Sequence, residues 1–198
     1  MRVFYPVSLN LAGRRCVVIG AADDREAIDK SEALCEAGAD LTRVTDIGTL
    51  RDEDVADAFF VISTPQDAAL SARLRALADR HRFLLCCIDQ PTYGFVAMAA
   101  IVKAGPVRVA ISTAGLAPRV GKVLKAALER VMDQKFARFI TCLATQRERT
   151  RRRYPAPADS PVRRQAMIGA AEGFAADIDF AYPEWFEEEL RNLQPRVR

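Results

Sequence analysis

The chain has 198 residues, half of them hydrophobic, with 29 basic against 26 acidic side chains and a formal charge of +3. That length and apolar content suit one α/β domain plus an appendage, with enough side chains for a real core. So small a net charge gives no ground for a nucleic-acid partner, and no apolar run is long enough to span a bilayer.

The opening residues, Met1 to Pro6, carry no apolar signal-peptide run, so a soluble, cytoplasmic protein is expected. A strand-like run at 15–19 then ends in Gly20 and passes through Ala21, Ala22, Asp23 and Asp24 into a helical pattern at 25–37. This is the layout of a dinucleotide-binding turn, in which backbone N–H groups and a helix dipole face a pyrophosphate. Such a turn usually reads G-x-G-x-x-G, and here Ala22 takes the second glycine's place. Asp23 and Asp24 are natural helix caps. The same carboxylates would compete with a phosphate, at a cost on the order of 1 kcal/mol per like-charge contact in a solvated site.

A second strand is predicted at 41–45, followed by Asp46, which lies where an acid hydrogen-bonds an adenosine ribose. Its plain alternative is a solvated turn residue. NAD therefore suits the chain better than NADP. A short acidic turn around 51–57 leads to a strand at 59–63, a helix at 66–80 and a strand at 83–88. The link from 46 to 58 is short, which predicts a sheet lacking one strand of a full mononucleotide-binding half. His81, the single histidine, follows Asp79 and Arg80 at a helix end and reads as a surface residue; with scattered cysteines it makes no metal site. The five cysteines form no C-x-x-C pair, and Cys16, Cys86 and Cys87 lie in apolar runs, as buried reduced thiols do.

Asp89 ends the strand at 83–88, so its carboxylate should emerge at the carboxyl edge of the sheet, where open α/β folds place ligands. Either it is a catalytic acid or base there, or it makes an Asx turn ahead of Pro91. A further strand is predicted at 107–112, with Ser112, Thr113 and Gly115 at a turn before Pro118 and a helix at 118–132. Hydroxyls and free N–H groups at that turn, with Arg119, Lys122 and Lys125 beyond it, suit an anionic ligand or simply a capped surface helix. The alternation of strands and helices predicts a Rossmann-like, doubly wound α/β fold with a mostly parallel sheet. After Ala137 the character changes: 147–153 is strongly basic without interleaved aromatics, and helices are expected near 162–174 and 184–193. The expected division is a nucleotide-binding domain at 1–115 and a helical region at 116–198.

Four segments, in order, resemble the N-terminal family of siroheme synthases, which covers precorrin-2 dehydrogenase and sirohydrochlorin ferrochelatase. They are Tyr5-Pro6-Val7-Ser8-Leu9-Asn10-Leu11 with Gly13-Arg14-Arg15; Phe59-Phe60-Val61-Ile62-Ser63-Thr64 with Asp67; Cys87-Ile88-Asp89-Gln90-Pro91; and the stretch from Gly105 to Pro118 containing Ser112-Thr113-Ala114-Gly115. The resemblance covers roughly the first two-thirds of the chain. It implies NAD-dependent oxidation of precorrin-2 to sirohydrochlorin, with ferrous iron inserted as a substrate in some members. It implies Asp89 as the catalytic residue, Gly20, Ala21, Ala22, Asp46, Ser63 and Thr64 around NAD, and Ser112, Thr113, Gly115 and Arg119 around a tetrapyrrole substrate. It also implies a homodimer whose helical tail supplies anchors such as Phe136, Phe139, Phe174, Tyr182, Trp185 and Phe186. Three places depart from the family: the glycine turn, the short link after the second strand, and Ala117 where a serine is usual. A rival expectation follows from them, a paralogue that binds a tetrapyrrole or heme without NAD. A third, a Rossmann-type regulatory module with an unrelated small ligand, is weaker.

Overall fold

Four strands form the sheet of the first part of the chain: β1 Arg15–Ile19, β2 Asp40–Val44, β3 Phe60–Ser63 and β4 Leu84–Cys87. All pair in parallel, in the order β2-β1-β3-β4. Two helices explain why β1, β3 and β4 are apolar on both faces. Val17, Ile19, Val61 and Leu85 pack with Leu70, Leu74 and Leu77 of α2, Ala68–His81. Cys16, Val18, Ile62 and Cys86 pack on the other side with Ala27 and Leu34 of α1, Arg25–Glu36. Each large aliphatic side chain buried this way contributes roughly 1.5–3 kcal/mol against exposure. Burial also pushes the Cys86 thiol up to about 11, so it sits in the core as a small hydrophobe.

The chain leaves β1 to form β2 on one side and returns to form β3 on the other. Such a reversal opens a crevice at the carboxyl ends of the two central strands, here β1 and β3. The link from β2 to β3 contains two short 3-10 turns, Ile47–Thr49 and Asp52–Asp54, in place of a helix. Leu50, Val55 and Ala58 are buried in the cluster that holds the α2 leucines, so a few side chains do the work of a helix face. β2 is left as the sheet edge, in keeping with a shortened half-domain.

The run at 107–112 is not a further parallel strand. β6, Val107–Ile111, pairs antiparallel with β5, Ala100–Ala104, in a separate two-stranded sheet. Ala104 pairs with Val107, leaving Gly105 and Pro106 as a two-residue loop with Gly105 at φ +56°. A positive φ in the first loop position is what glycine supplies to such hairpins at least steric cost. Glu36 at the end of α1 accepts hydrogen bonds from Lys103 of β5 and, at 3.1 Å, from Arg108 of β6, which ties the hairpin to the helix. Helix α3, Pro118–Val131, packs on the hairpin.

The computed structural model describes residues 4–193, and the chain divides into two compact units between Asp133 and Gln134. The second unit holds α4 Gln134–Arg153, α5 Ser160–Ala170 and α6 Glu184–Leu193. The basic run at 147–153 is the last part of α4, where cations meet the negative end of the helix dipole. Within this unit Phe139 stacks on Phe174 with ring centroids 5.2 Å apart. No helix among the described residues is long and apolar enough to cross a membrane.

Candidate functional site

The turn between β1 and α1 is built on close packing. Gly20 has an ordinary negative φ, yet a Cβ there would overlap Thr64 Oγ1 and lie 2.7 Å from Ala27 Cβ and 3.0 Å from Asp24 Oδ2. The glycine is required because the end of β3 and the first turn of α1 press against it. Asp24 caps α1: Oδ1 accepts from the N–H groups of Glu26 at 2.9 Å and Ala27 at 3.4 Å. Oδ2 accepts a short hydrogen bond from the Thr64 hydroxyl, 40 residues along the chain. That hydroxyl holds the Asp24 carboxyl below the usual carboxylate range; the Ala27 and Glu26 N–H groups and the Arg43 charge add to the effect. Glu26 makes no capping box and pairs instead with Lys30 at 3.2 Å. Ala21, Ala22 and Asp23 form the exposed tip of the turn. Arg43 of β2 reaches over it to donate to the Ala21 carbonyl at 3.0 Å, while its buried Nε has no partner among the described residues.

Asp46 stands two residues past β2, exposed, and caps the first 3-10 turn by accepting from Gly48 N–H at 2.9 Å. It has further acceptor capacity for a hydroxyl. Ser63 and Thr64 diverge. Thr64 faces the turn, whereas Ser63 is fully buried at 0% exposure, and its hydroxyl has no partner among the described residues. The structure therefore gathers Gly20, Ala21, Ala22 and Thr64 at one turn, with Asp24 and Arg43. Those last two were not in the expected cofactor set, and the Thr64–Asp24 contact has no signal in local sequence.

Asp89 lies two residues beyond β4, exposed, with φ +56°. Aspartate is among the few non-glycine residues that enter the left-handed region readily. An Asx turn onto residue 91 would need an N–H that proline does not have. The carboxylate instead accepts from Gln66 Nε2 at 3.2 Å, and Gln66 lies in the loop between β3 and α2. Two adjacent strand ends thus hold one exposed carboxylate at the edge of the sheet. Sequence reasoning passed over Gln66, which stood only as the first residue of a helix and in fact precedes the Asp67 cap of α2.

The turn at 112–119 belongs to the second sheet. Ser112 Oγ accepts from Ala114 N–H at 3.3 Å, and Ala114 and Gly115 are both left-handed, at φ +52° and +78°. α3 begins at Pro118 behind Ala117, which offers no capping oxygen, so its first N–H groups lack the side-chain partner that Asp24 gives α1. Thr113 lies against α3 near Gly121, and Arg119 is exposed. Lys125 pairs with Glu129 at 3.7 Å. In the second unit, Arg147 and Arg151 of α4 and Arg163 and Arg164 of α5 line an open groove with Met167 and Ile168.

Comparison with known proteins places this geometry. Residues 7–100 match the model of a family described as putative NAD(P)-binding. The siroheme synthase of Nitrosospira multiformis is 29% identical over 216 residues, covering 96% of this chain and 45% of that one. The siroheme synthase of Xylella fastidiosa is 30% identical over 171 residues, covering 76% and 35%. The chain spans less than half the length of these curated relatives. A solved structure, SirC, precorrin-2 dehydrogenase, shares the fold with a TM-score of 0.65 at 18% identity, over 86% of this chain and 90% of that one. The ordered motifs, the parallel sheet with its β1–α1 turn and these relatives agree: over residues 7–100 the chain matches the putative NAD(P)-binding family, and it is similar to the N-terminal part of siroheme synthases.

Proposed function

We propose that this chain is a siroheme-synthesis enzyme that oxidises precorrin-2 to sirohydrochlorin with NAD. The observation that carries the reading is Asp89, an exposed carboxylate held in a left-handed backbone at the carboxyl edge of the sheet and bonded to Gln66. The frame fits a dinucleotide. The sheet order reverses beside Gly20, Asp46 has acceptor capacity for ribose hydroxyls, and Arg43 brings a cation with an unpartnered Nε to the turn. Asp24 is the group in that frame that opposes phosphate. When bound, the nicotinamide supplies the acceptor for the hydride that precorrin-2 loses. Asp89 takes the accompanying proton onto its carboxylate as general base. Gly20, Ala21, Ala22 and Thr64 complete the cofactor side, whereas Ser63, expected there, is buried in the sheet; Ser112, Thr113, Gly115 and Arg119 hold carboxylates of the tetrapyrrole. Should iron insertion accompany the oxidation, Asp89 would take pyrrole protons, with ferrous iron as a substrate.

In this reading residues 1–115 form the nucleotide-binding domain and 116–198 the helical region of a homodimer. Exposed apolar residues on α3 and α6 support the dimer: Val123 is 62% and Trp185 65% exposed. Asp24 favours a second reading, a paralogue that binds a tetrapyrrole or heme without the dinucleotide.

Asp89→Asn keeps size and most hydrogen bonding but removes the base. Precorrin-2 turnover, followed by absorbance of the product, should fall by roughly 10²–10⁴-fold. Tetrapyrrole binding should stay within a few-fold. Normal turnover combined with a lower melting temperature would make Asp89 a structural turn residue and remove the reading's support.

A further inference from the structure

We propose that Asp24 is a built-in competitor for the cofactor's diphosphate: its carboxylate holds the anion seat at the start of α1, and NAD reaches that seat only by displacing it. The proposal rests on the dinucleotide reading of the crevice. A phosphate at a helix N-terminus is held by the free N–H groups of the first turn. Here those of Glu26 and Ala27 already donate to Asp24 Oδ1. The other oxygen is tied to Thr64 at the end of β3, so the carboxylate is anchored from the sheet as well as from its own helix. Gly20 is part of the seat, because a Cβ there would lie 3.0 Å from Oδ2 and crowd the carboxylate. Ala22, where a second glycine would let backbone approach phosphate, narrows the turn further.

Asp67 caps α2 in the same manner, accepting from Ala69 at 2.8 Å and Leu70 at 3.1 Å. Capping alone is therefore an ordinary duty of aspartate in this chain. What distinguishes Asp24 is its place at the reversal of strand order, its tie to β3, and the Arg43 guanidinium over the same turn. A displaced Asp24 carboxylate, or the incoming phosphate, finds a countercharge at the same turn in Arg43.

Asp24→Ser retains a capping oxygen and removes the charge, and Asp24→Asn serves if the serine variant folds poorly. NAD binding by calorimetry should be about tenfold tighter or more in the variant than in the unaltered protein. Inorganic pyrophosphate should raise the melting temperature of the variant alone. Equal NAD affinity in both proteins would overturn the proposal and leave the dinucleotide reading standing. A pyrophosphate response confined to the variant, with NAD binding to neither, would uphold Asp24 as occupant of the seat and overturn NAD use. No response of either protein to either ligand would overturn both.

Discussion

Asp24, Thr64 and Gly20 form a small closed arrangement whose parts differ in how far the sequence reveals them. Asp24 before a helical pattern is readable as a cap from its type and position. Gly20 is readable as a turn glycine, but the reason for it lies elsewhere, in Thr64 Oγ1 and Ala27 Cβ crowding its α-carbon. Because Thr64 is the largest cause of the lowered Asp24 pKa, the pair makes a pH-dependent contribution to stability. The folded-state pKa lies below the unfolded one, near 3.9 for a free aspartate. The contribution is thus fully present above that value and is lost as pH falls through the folded pKa. Thr64→Val should therefore destabilise the protein at neutral pH. The gap to the unaltered chain should narrow in acid, as urea melts at about pH 7 and pH 3 would record. A gap of constant size would mean that the methyl packing, and not the carboxylate, is what matters. Asp89 was readable as a strand-end acid; its left-handed backbone and its Gln66 partner come from loops that only the fold brings together.

Among the elements, the four parallel strands and α1 to α3 follow from apolar runs alternating with helical periodicity, and their caps obey local rules. α3 is the exception. It starts on Ala117, which gives no capping oxygen, behind a turn containing two left-handed residues, Ala114 and Gly115. Ala117→Ser places a hydroxyl at that cap and should stabilise the protein by about 0.5–2 kcal/mol. A thermal melt should show the midpoint rising by several degrees, and an unchanged midpoint would mean that the helix start is already satisfied in another way. The β5–β6 hairpin was missed because Ala100–Ala104 was not read as a strand, and 107–112 was then assigned to the parallel sheet. The signal was present in Gly105-Pro106 between two short apolar runs. α4 was likewise hidden by its charge. Its hydrophobic spacing fades into the basic run at 147–153, where good helix formers maintain the helix, while the hydroxyls of Thr141, Thr145 and Thr150 along α4 are satisfied by carbonyls four residues back.

At the scale of the whole molecule, two compact units carry different kinds of surface. The first presents the crevice of a parallel sheet; the second presents aromatic residues near α6 and an arginine-lined groove between α4 and α5. A homodimer burying such apolar side chains should sediment as a dimer at about tens of micromolar, well above the nanomolar dissociation constants of stable complexes. Trp185→Glu should shift it toward monomer if α6 takes part. A monomer for the unaltered protein in ultracentrifugation would refute the dimer.

The sequence by itself determined the fold class, the succession of β1 to β4 along the chain, the turn at Gly20 and the strand-end position of Asp89. These depend on periodicity and on side chains that act within a few residues of themselves. Only the tertiary structure decided that Thr64 locks Asp24, that Gln66 meets Asp89, that Ser63 is buried away from the turn, and that β6 pairs with β5. Each of these is a contact or a register between segments distant in sequence or separated by a loop. Their geometry is set by how sheet, helices and loops pack together, which no local pattern encodes.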